Sequence, residues 1–362
     1  MFIIKKIISI ILLAMFVCMA FGACSAKDGG NAGGTVAGES QTTTEDKNYN
    51  PLTGEALAEG EKAGTRPVAV MVNNAKVAMP QSGISQADII YEAVTEGGVT
   101  RLMALYSNLS KVPYVGPVRS ARTQFVEMML PLNAVYVHIG SSNSAKRMLN
   151  FYSYQDIDGI YLGFQSFSYD SELAKTKASE HCWFTDSNLV NAGISRNGIA
   201  TTGGFYPAFE FVKQGAEATL PADGSAIRVA YAYSDYADVA FDYDENSGKY
   251  LKSAFGVPHT DATDGSQLAF DNVIVIGAAV SVEEENGILP QFDFSRGRGY
   301  YFTKGAWQAI TWEKGRPENP IVIKDENGNL LPINTGKTYV GLLADTLLDS
   351  VEITPAAESE NK

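Results

Sequence analysis

The pattern of apolar residues changes near Gly198, and this change limits the folds that the chain can adopt. Before it, short runs rich in valine and isoleucine, such as Arg66 to Asn73 and Ala134 to Ile139, alternate with segments of helical periodicity. From Ile227 onward the apolar runs are short, and turn residues separate them. We therefore predict a fold in the range from α/β to α+β, with a three-layer N-terminal α/β domain followed by a β-rich, antiparallel C-terminal domain.

The first 50 residues are expected to lie outside both domains. Two lysines precede an apolar run from Ile7 to Val17, and small residues lead into Cys24. This pattern is typical of a bacterial lipoprotein signal peptide, after whose removal Cys24 carries the lipid. An ordinary cleaved signal peptide and an uncleaved membrane helix are the alternatives, and the run is short for a spanning helix. The low-complexity stretch that follows predicts a flexible linker.

Composition divides the chain into six segments. They are a signal peptide at 1–23, the lipidated cysteine and linker at 24–50, the N-terminal α/β domain at 51–200, a connecting segment at 201–226, the β-rich domain at 227–350 and a disordered tail at 351–362. Once Cys18 leaves with the signal peptide and Cys24 takes the lipid, Cys182 is the one cysteine left, so the mature body can form no internal disulfide. Burial of a core must therefore stabilise the two domains.

The chain is acidic, with a formal net charge of −13 at pH 7. Loss of the signal peptide removes Lys5 and Lys6 and no acidic residue, which takes the charge to −15. An acidic body argues against binding to nucleic acid and against an electrostatic membrane-binding surface. We therefore expect the lipid on Cys24 to hold an extracytoplasmic body at the outer face of the cytoplasmic membrane.

Two arginines make the stretch after Gly116 the first candidate for a ligand site. Arg119 and Arg122 follow Pro117 and precede a short apolar helix pattern, so their spacing predicts both on one face of the first helical turn. A helix N-terminus favours anions, and two cations there need nearby carboxylates or a bound anion. The sequence therefore predicts an anionic partner for these arginines.

A strand-to-helix turn follows the arginines. Gly140, Ser141 and Ser142 come directly after a buried strand, and Asn143 or Ser144 is the expected cap of the next helix. Such a turn leaves backbone N–H groups free to face a negative group, although many similar turns bind nothing.

A hairpin is predicted around Gly97-Gly98. Pairing outward from the glycines puts Val94 opposite Arg101, so that Glu92, Glu96 and Arg101 share one face of the hairpin. These charges are either a solvated surface cluster or the counter-charges that the two arginines lack, and the sequence leaves both possibilities open.

Three residues are candidate catalytic groups. His138, at a strand end, is a candidate general base, and Glu92 or Glu96 is a candidate acid. A histidine held by a backbone hydrogen bond is the more common arrangement, and no Gly-x-Ser-x-Gly elbow accompanies His138. No nucleophile motif surrounds Cys182, which we expect to be a buried, inert thiol.

Metal and cofactor binding find little support. His259 with Asp261 and Asp264 lies in a turn-rich loop, where the two aspartates have an ordinary role as turn formers and metal binding is the alternative. The chain has no phosphate-binding loop, no dinucleotide-binding motif and no paired zinc ligands. We therefore expect neither a metal nor a cofactor.

Several runs resemble the YerB-like lipoproteins of Gram-positive bacteria. The runs that carry the likeness are RPVAVMVNN at 66–74, QADIIYE at 86–92, EGGVTRLMALY at 96–106, GPVRSAR at 116–122, PHTD at 258–261 and GRGYYF at 297–302. The resemblance covers nearly all of residues 50–345 and implies a membrane-anchored, extracytoplasmic protein of two domains with an α/β N-terminal part. It brings no established activity, so no catalytic residue is carried over.

Our leading expectation is a non-catalytic envelope lipoprotein that binds an anionic cell-wall peptide or glycan. Its ligand-binding residues would be Arg101, Arg119, Arg122, Gly140, Ser141 and Ser142. One alternative is a cell-wall hydrolase or transferase that uses Glu92 or Glu96 with His138. Another is a scaffold for a second envelope protein, in which the arginines and glutamates neutralise one another.

Overall fold

The computed structural model describes residues 48–204, 206–218, 220–221, 224–283 and 287–356. The expected signal peptide, Cys24, most of the linker and the end of the tail lie outside the described residues. Within the described ranges, no helix combines the length and the apolar character that crossing a membrane requires.

Strands dominate the described chain, and its α-helices all lie before Gly198. The strands are β1 Val68–Asn73, β2 Ile89–Val94, β3 Thr100–Tyr106, β4 Val135–His138, β5 Asp156–Asp158, β6 Ser168–Tyr169, β7 Trp183–Phe184, β8 Arg228–Ser234, β9 Ala237–Asp244, β10 Lys249–Ala254, β11 Val257–Pro258, β12 Ala269–Phe270, β13 Asn272–Val282, β14 Pro290–Thr303, β15 Ala306–Glu313, β16 Val322–Lys324, β17 Thr338–Ala344 and β18 Glu352–Thr354. The α-helices are α1 Thr123–Met129, α2 Asn143–Phe151, α3 Gly159–Leu162 and α4 Ser187–Asn197.

A ten-stranded mixed sheet runs through both halves of the chain. Its strand order is β16-β15-β14-β13-β17-β2-β3-β1-β4-β5. The halves meet where β17 pairs in parallel with β2, in a register from Thr338 opposite Ile89 to Leu342 opposite Ala93. Strands of the two predicted domains therefore share one hydrogen-bonded sheet, and both halves contribute residues to the apolar cluster on each of its faces.

A second sheet covers part of one face of the first. It is antiparallel, with the order β11-β10-β9-β8-β18, and β12 pairs with β10. Tyr231 and Phe241 from this sheet pack in the same apolar cluster as Val273 and Tyr339 from the large sheet. Helix α4 contributes to this cluster, whereas α1 and α2 bury their apolar residues on the opposite face of the large sheet. The predicted fold class, an α/β N-terminal part and a β-rich C-terminal part, is confirmed.

The first strand shows why the sequence favours this arrangement. All six residues of β1 are buried, because Val68, Val70 and Val72 pack in the cluster on one face of the sheet while Ala69 and Met71 pack in the cluster on the other. A strand with a near-continuous apolar run is suited to a sheet that is covered on both faces.

The predicted register of the β2–β3 hairpin is wrong by one residue. Val94 pairs with Thr100 and Ala93 pairs with Arg101. The connection is a three-residue loop closed by a bond from Thr95 N–H to Val99 O, and both glycines in it have positive φ. Because a shift of one residue moves a side chain to the other face, Glu92 and Arg101 do not share a face as predicted.

The predicted helical position of the two arginines is also wrong. Helix α1 begins at Thr123, with Arg122 as its N-cap in extended conformation, and Arg119 lies in an extended segment before it. Backbone bonds from Arg119 N to Met71 O and from Ile139 N to Arg119 O hold this segment between the ends of β1 and β4. Pairing with two strands keeps residue 119 out of the helix.

Candidate functional site

The carboxyl ends of several parallel strands bring the predicted ligand-binding residues to one edge of the sheet. Strands β1, β4 and β5 are parallel, and β2 runs in the same direction because both β1 and β2 are antiparallel to β3. In open α/β sheets, ligands bind at the carboxyl edge of the strands. We call the group formed by Glu96, Arg101, Arg119, Arg122 and His181 the carboxyl-edge site.

Glu96 binds two of the three arginines. Its Oε1 lies 2.6 Å from Arg101 NH2 and 2.5 Å from Arg122 NH2, and its Oε2 accepts from Arg122 Nε at 2.9 Å. Burial raises the pKa of Glu96, but the hydrogen bond from Arg122 and the charges of both arginines together lower the pKa to about 2. Glu96 is therefore ionised at neutral pH and already shared between two guanidinium groups.

Arg101 is the most enclosed of the arginines in this group. Its side chain is 4% exposed, and NH1 donates to Ser120 O at 2.9 Å. Burial and the nearby charge of Arg122 lower its pKa to about 10, although Glu96 opposes the shift. The guanidinium stays charged at neutral pH, although neighbouring cations disfavour its charged form.

Arg119 differs from the other two arginines. Among the residues that the structure describes, its side chain has neither an ion pair nor a hydrogen bond, and its Nε is buried. Its charge lowers the pKa of Arg101 and of His181, which places it in the electrostatic neighbourhood of both. The carboxyl-edge site therefore contains three guanidinium groups and one carboxylate.

His181 was missed as a site residue by the sequence analysis. It is 9% exposed, and its Nδ1 lies 2.7 Å from Asn73 Nδ2, so the ring nitrogen accepts a hydrogen bond from the amide. Asn73 is fixed in this orientation because its Oδ1 accepts from Ala75 N. Burial lowers the pKa of His181, and Arg119 and Lys177 lower it further, against the raising effect of Glu180. The ring is therefore neutral at neutral pH.

The turn at Gly140 to Ser142 lies beside the arginine segment. Ala121 N donates to Gly140 O, and Ser142 N donates to Ala121 O. The predicted cap, Asn143 or Ser144, was wrong, because Ser142 is the N-cap of α2 and its Oγ accepts from Ala145 N at 3.1 Å. Gly140 N donates to Asp158 Oδ1. In the described part of the chain, neither the N–H nor the hydroxyl of Ser141 has a hydrogen-bond partner.

The candidate catalytic residues Glu92 and His138 are both enclosed. His138 is fully buried, with Nδ1 2.8 Å from Gly140 O and Nε2 2.9 Å from Asp156 Oδ2. Glu92 is also fully buried, and it lies on the other face of the hairpin from Arg101. The structure brings Glu96 to the arginines but separates Glu92 from them.

Glu92 belongs instead to a buried polar cluster. Its Oε1 accepts from Asn74 at 2.8 Å and from Thr100 at 2.7 Å, and its Oε2 accepts from the hydroxyl of Tyr339 at 2.7 Å. Lys252 Nζ lies 3.2 Å from Oε2, and both side chains are 0% exposed. We call Asn74, Gln81, Glu92, Thr100, Lys252, His259 and Tyr339 the Glu92 cluster.

Lys252 and His259 extend this cluster into the second sheet. Lys252 Nζ lies 3.1 Å from His259 Nδ1, and His259 Nε2 lies 2.8 Å from Gln81 Oε1. Burial and the charge of Lys252 hold the pKa of His259 well below its usual value. His259 is therefore neutral and accepts from Lys252 while it donates to Gln81. Burial also lowers the pKa of Lys252, and the charge of Glu92 opposes that shift.

Comparison with known proteins links the whole described body to one family. Models described as Protein of unknown function (DUF3048) match residues 52–200 with their N-terminal domain and residues 227–340 with their C-terminal domain. The chain is 30% identical over 308 residues to "Putative lipoprotein YerB" of Bacillus subtilis (strain 168), across 84% of this chain and 88% of that protein. It also matches the crystal structure of the Bacillus subtilis YerB protein with a TM-score of 0.73 and 29% identity, covering 84% of this chain and 99% of that one.

Proposed function

This chain belongs to the family described as Protein of unknown function (DUF3048), and from that premise we propose that it is a lipid-anchored extracytoplasmic lipoprotein that binds an anionic ligand without chemically changing it. The relative from Bacillus subtilis carries the word lipoprotein in its name, which supports the same anchor here. The signal-peptide pattern that ends at Cys24 supports it independently. The anchor would hold the binding body at the outer face of the cytoplasmic membrane.

The observation that carries the binding proposal is the unpaired side chain of Arg119. Its backbone is hydrogen-bonded to Met71 of β1 and to Ile139, directly after β4, so the main chain that carries the guanidinium is fixed at the carboxyl edge. A charged group that is partly removed from water is stabilised by an opposite charge, and among the described residues Arg119 has none. A ligand carboxylate or phosphate would complete the charge balance through paired N–H···O bonds.

The other predicted binding residues have supporting roles in this proposal. Arg101 and Arg122 share Glu96, and they add positive potential around Arg119. Ser141 can donate through its N–H and its hydroxyl, which have no other partner in the described ranges. An anionic fragment of the cell wall, a peptide or a glycan, has the matching charge and is present on this side of the membrane.

The two alternatives receive less support. A hydrolase or transferase would need an acid and a base that reach a substrate, but Glu92 is fully enclosed and both nitrogens of His138 already lie within hydrogen-bond distance of oxygen atoms. A scaffold with internally neutralised arginines fits Arg101 and Arg122, which bind Glu96. It does not account for Arg119.

The test is the binding of muropeptides to the full lipidated chain in detergent, measured by isothermal titration calorimetry. Arg119→Ala should weaken binding about 10- to 100-fold, since a charge-assisted hydrogen bond to an ionised group contributes about 1.5–3 kcal/mol. Arg228→Ala is the matched control, because Arg228 is half-exposed and pairs with Asp242 on the second sheet. The proposal fails if wild-type protein does not bind muropeptides, or if Arg119→Ala binds them as tightly as Arg228→Ala.

A further inference from the structure

An exposed aromatic patch lies next to the carboxyl-edge site. We define the aromatic patch as Phe164, Tyr169 and Trp183. The ring of Trp183 lies 5.1 Å from that of Phe164 and 4.9 Å from that of Tyr169, measured between centroids. Phe164 is 73% exposed despite this contact. Three aromatic rings in mutual contact, one of them largely exposed, form a surface on which a ligand can pack.

Short strands hold the aromatic patch in place. Tyr169 in β6 pairs with Trp183 in β7, in a two-stranded antiparallel sheet. Phe184, the next residue, is buried and stacks on Tyr114 at 4.7 Å. Two of the three rings therefore belong to a small sheet, and Phe164, in the short 3-10 helix Gly163–Gln165, packs against Trp183, so the rings need little ordering when a ligand binds.

The backbone joins the aromatic patch to the arginine segment. Val118 N donates to Trp183 O at 2.7 Å, so Trp183 lies beside the residue that immediately precedes Arg119. His181, two residues before Trp183, is close enough to Arg119 for that charge to lower its pKa. Neighbouring extended segments lie about 5 Å apart. The backbone of Arg119 is therefore one residue away from a segment that is hydrogen-bonded to Trp183.

An apolar side chain borders the site on its other side. Ile160 of α3 is 67% exposed, and a Cβ built on Gly140 would lie 3.6 Å from its Cγ1. The same Cβ would lie 3.3 Å from Ser120 Oγ, next to Arg119 in the chain. In the described part of the chain, a cation, hydroxyl groups without a partner and exposed apolar side chains thus lie at the same edge of the sheet.

We propose that Arg119 and the aromatic patch together bind a saccharide that carries an anionic group. This inference rests on the proposed function and narrows it from a peptide or glycan to a glycan. A pyranose ring has one face of C–H groups that packs on an aromatic ring, while its hydroxyl groups suit serine hydroxyls and backbone N–H groups. The anionic group, a carboxylate or a phosphate, would meet the guanidinium of Arg119.

Four small probes, titrated into the full lipidated chain, distinguish the contribution of the sugar ring from that of the anionic group. The disaccharide of N-acetylglucosamine and N-acetylmuramic acid carries a carboxylate, and N-acetylglucosamine 1-phosphate carries a phosphate. Chitobiose is a neutral saccharide, and the stem tetrapeptide carries carboxylates without a sugar. We expect at least one anionic saccharide to bind more tightly than both chitobiose and the tetrapeptide.

Variants then assign the contacts. Phe164→Ala should weaken the binding of the anionic saccharide about tenfold and leave the binding of the tetrapeptide unchanged. Arg119→Ala should weaken the binding of both probes. Phe151→Ala is the matched control, since Phe151 is 81% exposed on α2 and makes a ring contact with its neighbour Tyr152. Co-sedimentation with phosphatidylglycerol vesicles, with and without Phe164→Ala, tests whether the patch serves a lipid surface instead.

Each outcome separates the two proposals. If Phe164→Ala changes saccharide binding no more than Phe151→Ala does, the saccharide inference is overturned while binding of an anion at Arg119 stands. If Phe164→Ala reduces binding only to vesicles, the saccharide inference is likewise overturned. If Arg119→Ala changes nothing, or none of the anionic probes binds, the proposed function itself fails.

Discussion

The buried ion pair between Glu92 and Lys252 gives a sharp test of how the two halves of the chain are held together. Glu92 lies on β2 of the large sheet, and Lys252 lies on β10 of the second sheet. The substitution Lys252→Met keeps a long, unbranched side chain and removes the ammonium group. Glu92 would keep its hydrogen bonds from Asn74, Thr100 and Tyr339 but would lose its counter-charge.

The expected loss of stability is large because neither partner reaches water. Both side chains are 0% exposed, and removing one partner of a buried ion pair costs about 3–5 kcal/mol. His259 would also lose the donor to its Nδ1. A typical domain is stable by only about 5–15 kcal/mol, so the variant should unfold at a markedly lower urea concentration.

Urea unfolding of the full lipidated chain in detergent, followed by circular dichroism, measures this loss. Lys249→Met is the matched control, because Lys249 lies on the same strand and pairs with Asp271 at 2.6 Å with both side chains about one-third exposed. Exposed pairs of this kind contribute about 0–1 kcal/mol. If Lys252→Met is no more destabilising than Lys249→Met, the stabilising role of the Glu92 cluster is refuted.

A double substitution tests the interaction itself. Glu92→Gln combined with Lys252→Met removes both charges, so its cost should be smaller than the sum of the two single costs. Equality between the double cost and that sum would mean that the two side chains do not interact.

Three further predictions concern the carboxyl-edge site and the one thiol of the described chain. Glu96 has a pKa of about 2 in the folded protein against 4.5 ordinarily, so its contribution to the free energy of unfolding is complete above about pH 4.5 and is lost as the pH falls toward 2. Glu96→Gln should therefore be less stable than wild type by about 2 kcal/mol at neutral pH, and this difference should disappear as the pH falls from 4.5 to 2. Urea titrations at several pH values measure the difference. Arg119→Ala should raise the pKa of His181, because the charge of Arg119 lowers it. An NMR titration of the His181 imidazole measures this pKa, and a pKa that falls or stays the same would contradict the prediction. Burial raises the pKa of the Cys182 thiol, which is 0% exposed, so a thiol reagent should label it only after unfolding.

Local sequence patterns predicted the elements of the carboxyl edge well. The valine-rich β1 and the strand at β4 follow from their apolar runs, and the turn into α2 follows from its glycine and serines. The register of the β2–β3 hairpin did not follow, because the loop between Thr95 and Val99 holds one residue more than the two glycines indicate. That single residue decides whether Glu92 faces the arginines or the core.

The Glu92 cluster could not have been found from the sequence. Lys252 lies on the face of β10 that also carries Tyr250 and Ala254, and a lysine is rarely buried, but the second sheet packs against the large sheet and buries it. His259 lies in a turn-rich segment, and nothing in its neighbours points to Gln81. Contacts between residues so far apart in the chain depend on the packing of the two sheets, which no local pattern encodes.

Arg119 and Lys252 show two ways in which this fold treats a cation that is removed from water. Lys252 has the carboxylate of Glu92 and the ring nitrogen of His259 within hydrogen-bond distance. Arg119 has the backbone support of two strands but no counter-charge among the described residues. If a ligand supplies that counter-charge, binding must stabilise the folded state.

The size of this stabilisation follows from mass action. At a ligand concentration of 100 times Kd, the free energy of unfolding should rise by about 2.7 kcal/mol. We expect the acidic disaccharide to produce such an increment in wild type and in Arg228→Ala. At the same concentration we expect only about 0.4–1.4 kcal/mol in Arg119→Ala, because its binding is about 10- to 100-fold weaker. Urea titrations with and without the disaccharide measure it. An equal increment in Arg119→Ala would mean that the disaccharide binds elsewhere and that the charge of Arg119 is tolerated without a ligand.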